Sequence, residues 1–100
     1  MKLVVSTQAQ REIRDATVWY EEQTRGLSVE FLRAVELSLD HVQRNPLLFA
    51  ESLPGLRRIG LRRFPYSLFY RIREEKITVL ACLHQHRDPQ DWPHKLNDES

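Results

Sequence analysis

Arg58, Arg62, Arg71, Arg73, His84 and His86 sit at even spacings within three apolar runs in the second half of the chain. If those runs are strands, side chains alternate between faces and each even-spaced set shares one side. Parity then places Ile59, Leu61, Tyr66, Leu68, Tyr70, Ile72, Ile77, Val79, Ala81 and Leu83 on a core face. It places Arg58, Gly60, Arg62, Ser67, Phe69, Arg71, Arg73, Thr78, Leu80, Cys82, His84 and His86 on the other. Guanidinium forks bind phosphate oxygens in bidentate fashion and stay charged, so such a face suits phosphate. Cleavage of RNA at a 2′-hydroxyl needs a base, an acid for the leaving 5′-oxygen, and fixed positive charge for the phosphorane. His84 and His86 exchange protons near neutral pH, and Arg58 or Arg71 would supply the charge. Histidines two apart on a strand also occur as exposed or hydrogen-bonded structural residues, so both readings stand. No cysteine or carboxylate lies at a spacing that completes a zinc site, and neither a metal nor a cofactor is expected.

The charge distribution sharpens this. Residues 57–87 carry eight basic and two acidic side chains, net +6, whereas residues 1–56 carry six and eight, net −2, and residues 88–100 carry one and four, net −3. A local positive field attracts phosphate or an acidic protein, although a solvated strand surface would look the same. One hundred residues suffice for one compact domain, expected over 1–100 with a polar C-terminal tail from about residue 93. No run approaches a membrane span of roughly 18 apolar residues, and the start lacks a signal-peptide core, so a cytoplasmic protein is expected. The single cysteine, Cys82, has no disulfide partner and reads as a small strand filler.

The elements that must position these residues follow from periodicity. Lys2 to Ser6 reads as a short strand, and Thr7 with Gln10 as a capping box opening a helix. Ala9, Ile13, Ala16 and Tyr20 fall on one face of that helix, with Gly26 as its stop. Ser28 is placed to cap a second helix with the stripe Leu32, Val35, Leu39 and Val42, ending before Asn45-Pro46. A loop from Pro46 to Leu56 contains a Pro54-Gly55 turn. Arg57 to Phe64, Tyr66 to Arg73 and Lys76 to His86 then read as an antiparallel meander, turning at Pro65 and at Glu74-Glu75, with the helical hairpin on one face. Trp92 is a large aromatic in a polar tail, suited to packing on the domain or to contacting a partner.

Taken in order, Trp19-Tyr20-Glu21-Glu22-Gln23, Gly26-Leu27, Phe31-Leu32, Val35-Glu36, Asn45-Pro46, Arg62-Arg63-Phe64-Pro65-Tyr66, Tyr70-Arg71 and His84-Gln85-His86-Arg87-Asp88-Pro89 resemble the RelE/ParE toxin superfamily, in its ParE-like, plasmid-stabilisation branch. The resemblance implies an α+β domain of order β-α-α-β-β-β, with a helical hairpin on one face of a small, mainly antiparallel sheet. It also implies a type II toxin-antitoxin role and a small, acidic, partly disordered antitoxin. RelE-like members cleave messenger RNA at the ribosome, whereas ParE-like members inhibit DNA gyrase. The ribonuclease branch carries a catalytic arginine where this chain has Ser67, and a C-terminal tyrosine that would fall near Pro93. Arg87 falls near a second phosphate-binding arginine, and His86 near a terminal catalytic position. The expectation is therefore a gyrase inhibitor that binds its target or antitoxin through Arg58, Arg62, Arg71, Arg73, Arg87 and Trp92. The alternatives are a ribosome-dependent ribonuclease using Arg58, Arg71, His84, His86 and Arg87, or an inactive relative that only binds antitoxin.

Overall fold

In a computed structural model, residues 1–86 are described. The element order is β1 (Lys2–Val5), α1 (Thr7–Gln23), α2 (Leu27–Arg44), β2 (Glu51–Leu53), β3 (Leu56–Gly60), β4 (Tyr66–Arg73) and β5 (Lys76–His84). The five strands form one sheet in the order β1-β5-β4-β3-β2. All pairs are antiparallel except β1 with β5, which run parallel with Lys2 opposite Lys76. The helical hairpin covers one face, as expected for the α+β class. The short β2 lies in what sequence alone reads as loop.

Local chemistry explains the helix ends. Ser6, not Thr7, caps α1: its Oγ accepts a hydrogen bond from the Ala9 N–H at 3.1 Å, while the Gln10 side chain donates to the Val5 carbonyl at 2.8 Å. Gly26, at φ 93°, turns the chain in left-handed geometry and caps α2 in place of Ser28. Glu21 bridges the two helices, its carboxylate accepting from the N–H groups of Gly26 and Ser28 at about 3.0 Å. The buried stripe of α1 includes Ala9 and Ala16, flanked by Ile13 and Tyr20, as its periodicity requires. The stripe of α2 is rotated from expectation: Phe31, Ala34, Val35, Ser38 and Val42 face inward, and Leu32 is 40% exposed. The reason is aromatic packing. The Phe31 ring stacks with Tyr20 at 5.2 Å and meets Phe64 and Tyr66 edge-on at 5.2 and 5.5 Å, contacts that leucine cannot supply.

The central irregularity is in β5. Phe69 faces Ala81 but Tyr70 faces Val79, so Leu80 is an extra residue on β5 and the pair contains a β-bulge. Every β5 side chain beyond it changes face. Val79 and Ile77 point to the helices, as do Cys82 and His84, whereas Leu80, Ala81 and Leu83 join Leu56 and Phe69 in a second apolar cluster on the opposite side. The arginine-bearing face is thus no bare polar surface, since it surrounds a small core of its own.

Candidate functional site

The face away from the helices brings together Arg58, Arg71 and Arg73. Arg58 lies opposite Phe69 in the β3–β4 register, its guanidinium 6.0 Å from the ring centroid, and its Nε donates to the Ser67 Oγ at 3.1 Å. Ser67 is buried, so this bond satisfies a hydroxyl that would otherwise be costly to enclose. Arg71 is half-buried opposite Thr78, and Arg73 is exposed at the end of β4 opposite Lys76. Three guanidinium groups at successive levels on two neighbouring strands, with an apolar cluster between them, can bind an anionic surface by charge and by contact.

The remaining sequence-predicted residues are placed elsewhere. Strand β3 ends at Gly60, four residues before the expected end, so Arg62 stands in the β3–β4 loop and not on the sheet face. His84 crosses to the helix side because of the bulge. Its ring meets Tyr66 edge-on at 5.3 Å and stacks on His86 at 4.9 Å, while its Nδ1 accepts from the His86 backbone N–H at 3.2 Å. His86 is exposed in the turn after β5. Neither histidine joins the arginine set, and the expected Arg–His constellation is divided between two sides of the sheet. Arg87 and Trp92 lie outside the described residues.

Around His84, the end of β5 and α1 enclose a cavity of about 280 Å³, lined by Asp15, Trp19, Tyr66 and Cys82 among others. Two of its groups, the Cys82 thiol and the Tyr66 phenol, keep their protons at neutral pH. Burial, then the neighbouring Glu12 carboxylate, pushes the Cys82 thiol up to about 12, and burial raises the Tyr66 phenol. With Nδ1 occupied as an acceptor, a neutral His84 carries its proton on Nε2. Among the described residues, no group of three or more His, Cys, Asp or Glu side chains is arranged to hold a metal ion, and no helix is long and apolar enough to cross a membrane.

The profile of the family described as "ParE toxin of type II toxin-antitoxin system, parDE" matches residues 3–89. The chain belongs to the ParE toxin family. Among solved structures, it is similar to a chain of the "Chromosomal ParDE TA system from P. aeruginosa", with a TM-score of 0.75, 18% identity, and coverage of 84% of this chain and 95% of that one. At that identity the likeness speaks for the fold. Comparison with curated proteins gives no match. For this ParE-family chain, sequence reasoning missed two residues. Sequence comparison marks Ser67 only as standing in place of an arginine; in the fold it is the hydrogen-bonding partner of Arg58. Arg33, on α2, borders a cavity together with Arg62 and Arg63, and only tertiary packing brings the three together.

Proposed function

We propose that this ParE toxin family member acts by binding DNA gyrase, without chemistry of its own, and that a cognate acidic antitoxin neutralises it in the cytoplasm. The observation that carries the reading is the bulge at Leu80. By turning His84 to the helix side, it leaves Arg58, Arg71 and Arg73 on a face with no histidine among the described residues. Fixed charge without a proton-transfer partner suits binding better than strand scission. Ser67 adds to this: the ribonucleases that the chain resembles carry an arginine there, and here the position holds a buried hydroxyl bonded to Arg58.

The test is to express the chain in bacteria and to measure plasmid supercoiling beside primer-extension mapping of a defined message. Loss of supercoiling with an uncut message is expected, and Arg73→Glu, at an exposed position, should relieve it while leaving the melting temperature within a few degrees. Ribosome-dependent cuts that disappear in His86→Ala would overturn the reading in favour of a ribonuclease. Normal growth on expression of the chain alone would overturn it in favour of an inactive relative.

A further inference from the structure

Trp19 stands 52% exposed on α1, a large ring to leave in water. It is nevertheless held in place. Tyr20 lies edge-on to Trp19 at 5.0 Å and to Tyr66 at 6.1 Å, and Tyr66 lies edge-on to His84 at 5.3 Å. This run of ring contacts sets Trp19, Tyr66 and His84 around the cavity of about 280 Å³ between α1 and the end of β5, whose lining also includes the buried Ala16 and Cys82. Glu12 ties the two elements together, because its carboxylate accepts from the Cys82 N–H at 2.8 Å and from the Gln8 side chain at 3.2 Å. Asp15 borders the same cavity, is exposed, and has no hydrogen bond or ion pair among the described residues. It lies one turn before Trp19, so carboxylate and indole share one side of the helix. Arg11, one turn before Asp15, makes no ion pair with it, and among the described residues no lysine or arginine borders the cavity.

We propose that this cavity is a binding site for a small organic cation, an alkylammonium or guanidinium group on a short aliphatic stem. Tryptophan and tyrosine rings attract such a group within about 6 Å of their centroids, most strongly where water is partly excluded. Asp15 supplies an acceptor for a charge-assisted hydrogen bond. Two further observations choose the class of ligand. A metal ion needs several oxygen, nitrogen or sulfur ligands at once, and no group of three or more His, Cys, Asp or Glu side chains among the described residues is arranged to hold one. A large polycation would meet the net +6 of residues 57–87, which include β4 and β5, whereas a ligand with one or two charges is repelled little. The cavity has room for the head group and a few carbon atoms of stem. The rings are in position before the ligand arrives, since Tyr20 is itself stacked at 5.2 Å on the fully buried Phe31. The site lies on the helix side of the sheet and Arg58, Arg71 and Arg73 on the other, so the inference goes beyond the proposed target surface and does not rest on it.

The experiment uses the full chain, with n-butylguanidinium and n-butylammonium as probes and n-butylurea, the neutral analogue of the first, as their control. Calorimetry gives the Kd, and NMR follows the indole N–H signal of Trp19, identified by its absence from Trp19→Phe. Saturable binding tighter than about 1 mM is expected for both cations, with a shift of the Trp19 signal, and binding weaker by at least about tenfold for the urea. Asp15→Asn should weaken cation binding by about tenfold or more, whereas Glu36→Gln, which removes the same charge from an exposed position on α2, should change it by less than about twofold. Trp19→Ala, which keeps the charge, should weaken it by about tenfold, and Trp19→Phe by less. Melting curves check that the variants fold, and if Asp15→Asn does not, Trp19→Ala and the urea comparison decide. A urea bound as well as the guanidinium would overturn the inference in favour of an apolar cavity without selection for charge. Equal losses in Asp15→Asn and Glu36→Gln would overturn it in favour of a diffuse field. Displacement of both cations by an equal concentration of magnesium chloride would overturn it in favour of an inorganic ion, and the absence of saturable binding by either cation would overturn it outright.

Discussion

Glu12 of α1 accepts a hydrogen bond from the backbone N–H of Cys82 at 2.8 Å, so a helix side chain closes the outer edge of β5 where β1 no longer reaches. The closure is continuous. Beyond β1, the Ser6 N–H donates to the Val79 carbonyl at 2.9 Å, the Ser6 Oγ donates to the Leu80 carbonyl at 3.3 Å, and Glu12 follows. Glu12→Ala leaves the Cys82 N–H without its carboxylate and should destabilise the domain by about 1–3 kcal/mol. Urea denaturation measures this, and Glu12→Gln should recover part of the loss. An exposed edge also invites pairing between chains, so the alanine variant should aggregate more readily on heating.

Cys82 tests the bulge. Its thiol faces the helices, buried and pushed up to about 12, so alkylation of the native chain at pH 8 should be slower than that of the denatured chain by roughly a thousandfold. Mass spectrometry of a timed iodoacetamide reaction reads the ratio. A thiol that reacts at a similar rate in both states would mean that Cys82 lies on an accessible face.

Phe31 and Leu32 test the rotation of α2. Phe31→Ala removes a fully buried ring from the aromatic cluster and should cost about 3–5 kcal/mol. Leu32→Ala, at a half-exposed position, should cost less than about 1 kcal/mol. Paired denaturation curves distinguish the two.

Glu21 gives the hairpin an acid dependence. Hydrogen bonds from the Ser28 side chain, the Gly26 N–H and the Ser28 N–H hold its carboxyl below the usual value. A depressed folded-state pKa means that the cap stabilises fully above the unfolded value, about 4.3, and is lost as pH falls through the folded one. Wild type should therefore lose more stability than Glu21→Gln on acidification below about pH 4.3. Thermal melts of both across that range check the sign.

The turn between β4 and β5 offers a gain. Glu74 and Glu75 have φ of 50° and 64°, a two-residue turn with both residues left-handed. Glu74→Asn with Glu75→Gly should raise stability by about 1 kcal/mol, measurable as an increase in Tm.

Where one periodicity runs unbroken, the sequence was legible: the α1 stripe through Ala9 and Ala16, the helix stop before Pro46, and the order of the meander. It misled where a single residue decides the geometry. Leu80 is chemically ordinary in an apolar run, and nothing in Ile77 to Leu83 marks it as the extra residue; yet it reverses the face of Cys82 and His84. Phe31 and Leu32 are adjacent and both apolar, and only the rings of Tyr20, Phe64 and Tyr66 choose between them. Of the candidate site, the shared face of Arg58, Arg71 and Arg73 followed from strand parity because the register of β3 with β4 is unbroken and β4 carries no extra residue. Arg62 did not, because β3 stops at Gly60 and hands the chain to a loop whose shape depends on where Leu61 and Phe64 are buried.

The parallel pairing of β1 with β5 sets an order of events during synthesis. Lys2 pairs with Lys76, so the first strand emerges 74 residues before its partner. At about 5–20 residues per second, that is an interval of roughly 4–15 s. The contacts of the helical hairpin and the pairings among β2, β3 and β4 are local and are available within it, but the pairings to β5 are not. Until β5 is made, β1 has no neighbour to pair with, and the arginine surface of β3 and β4 lacks the Leu80, Ala81 and Leu83 side chains that complete its apolar cluster. A nascent chain halted before Lys76 would therefore lack the completed face through which the finished protein is proposed to act.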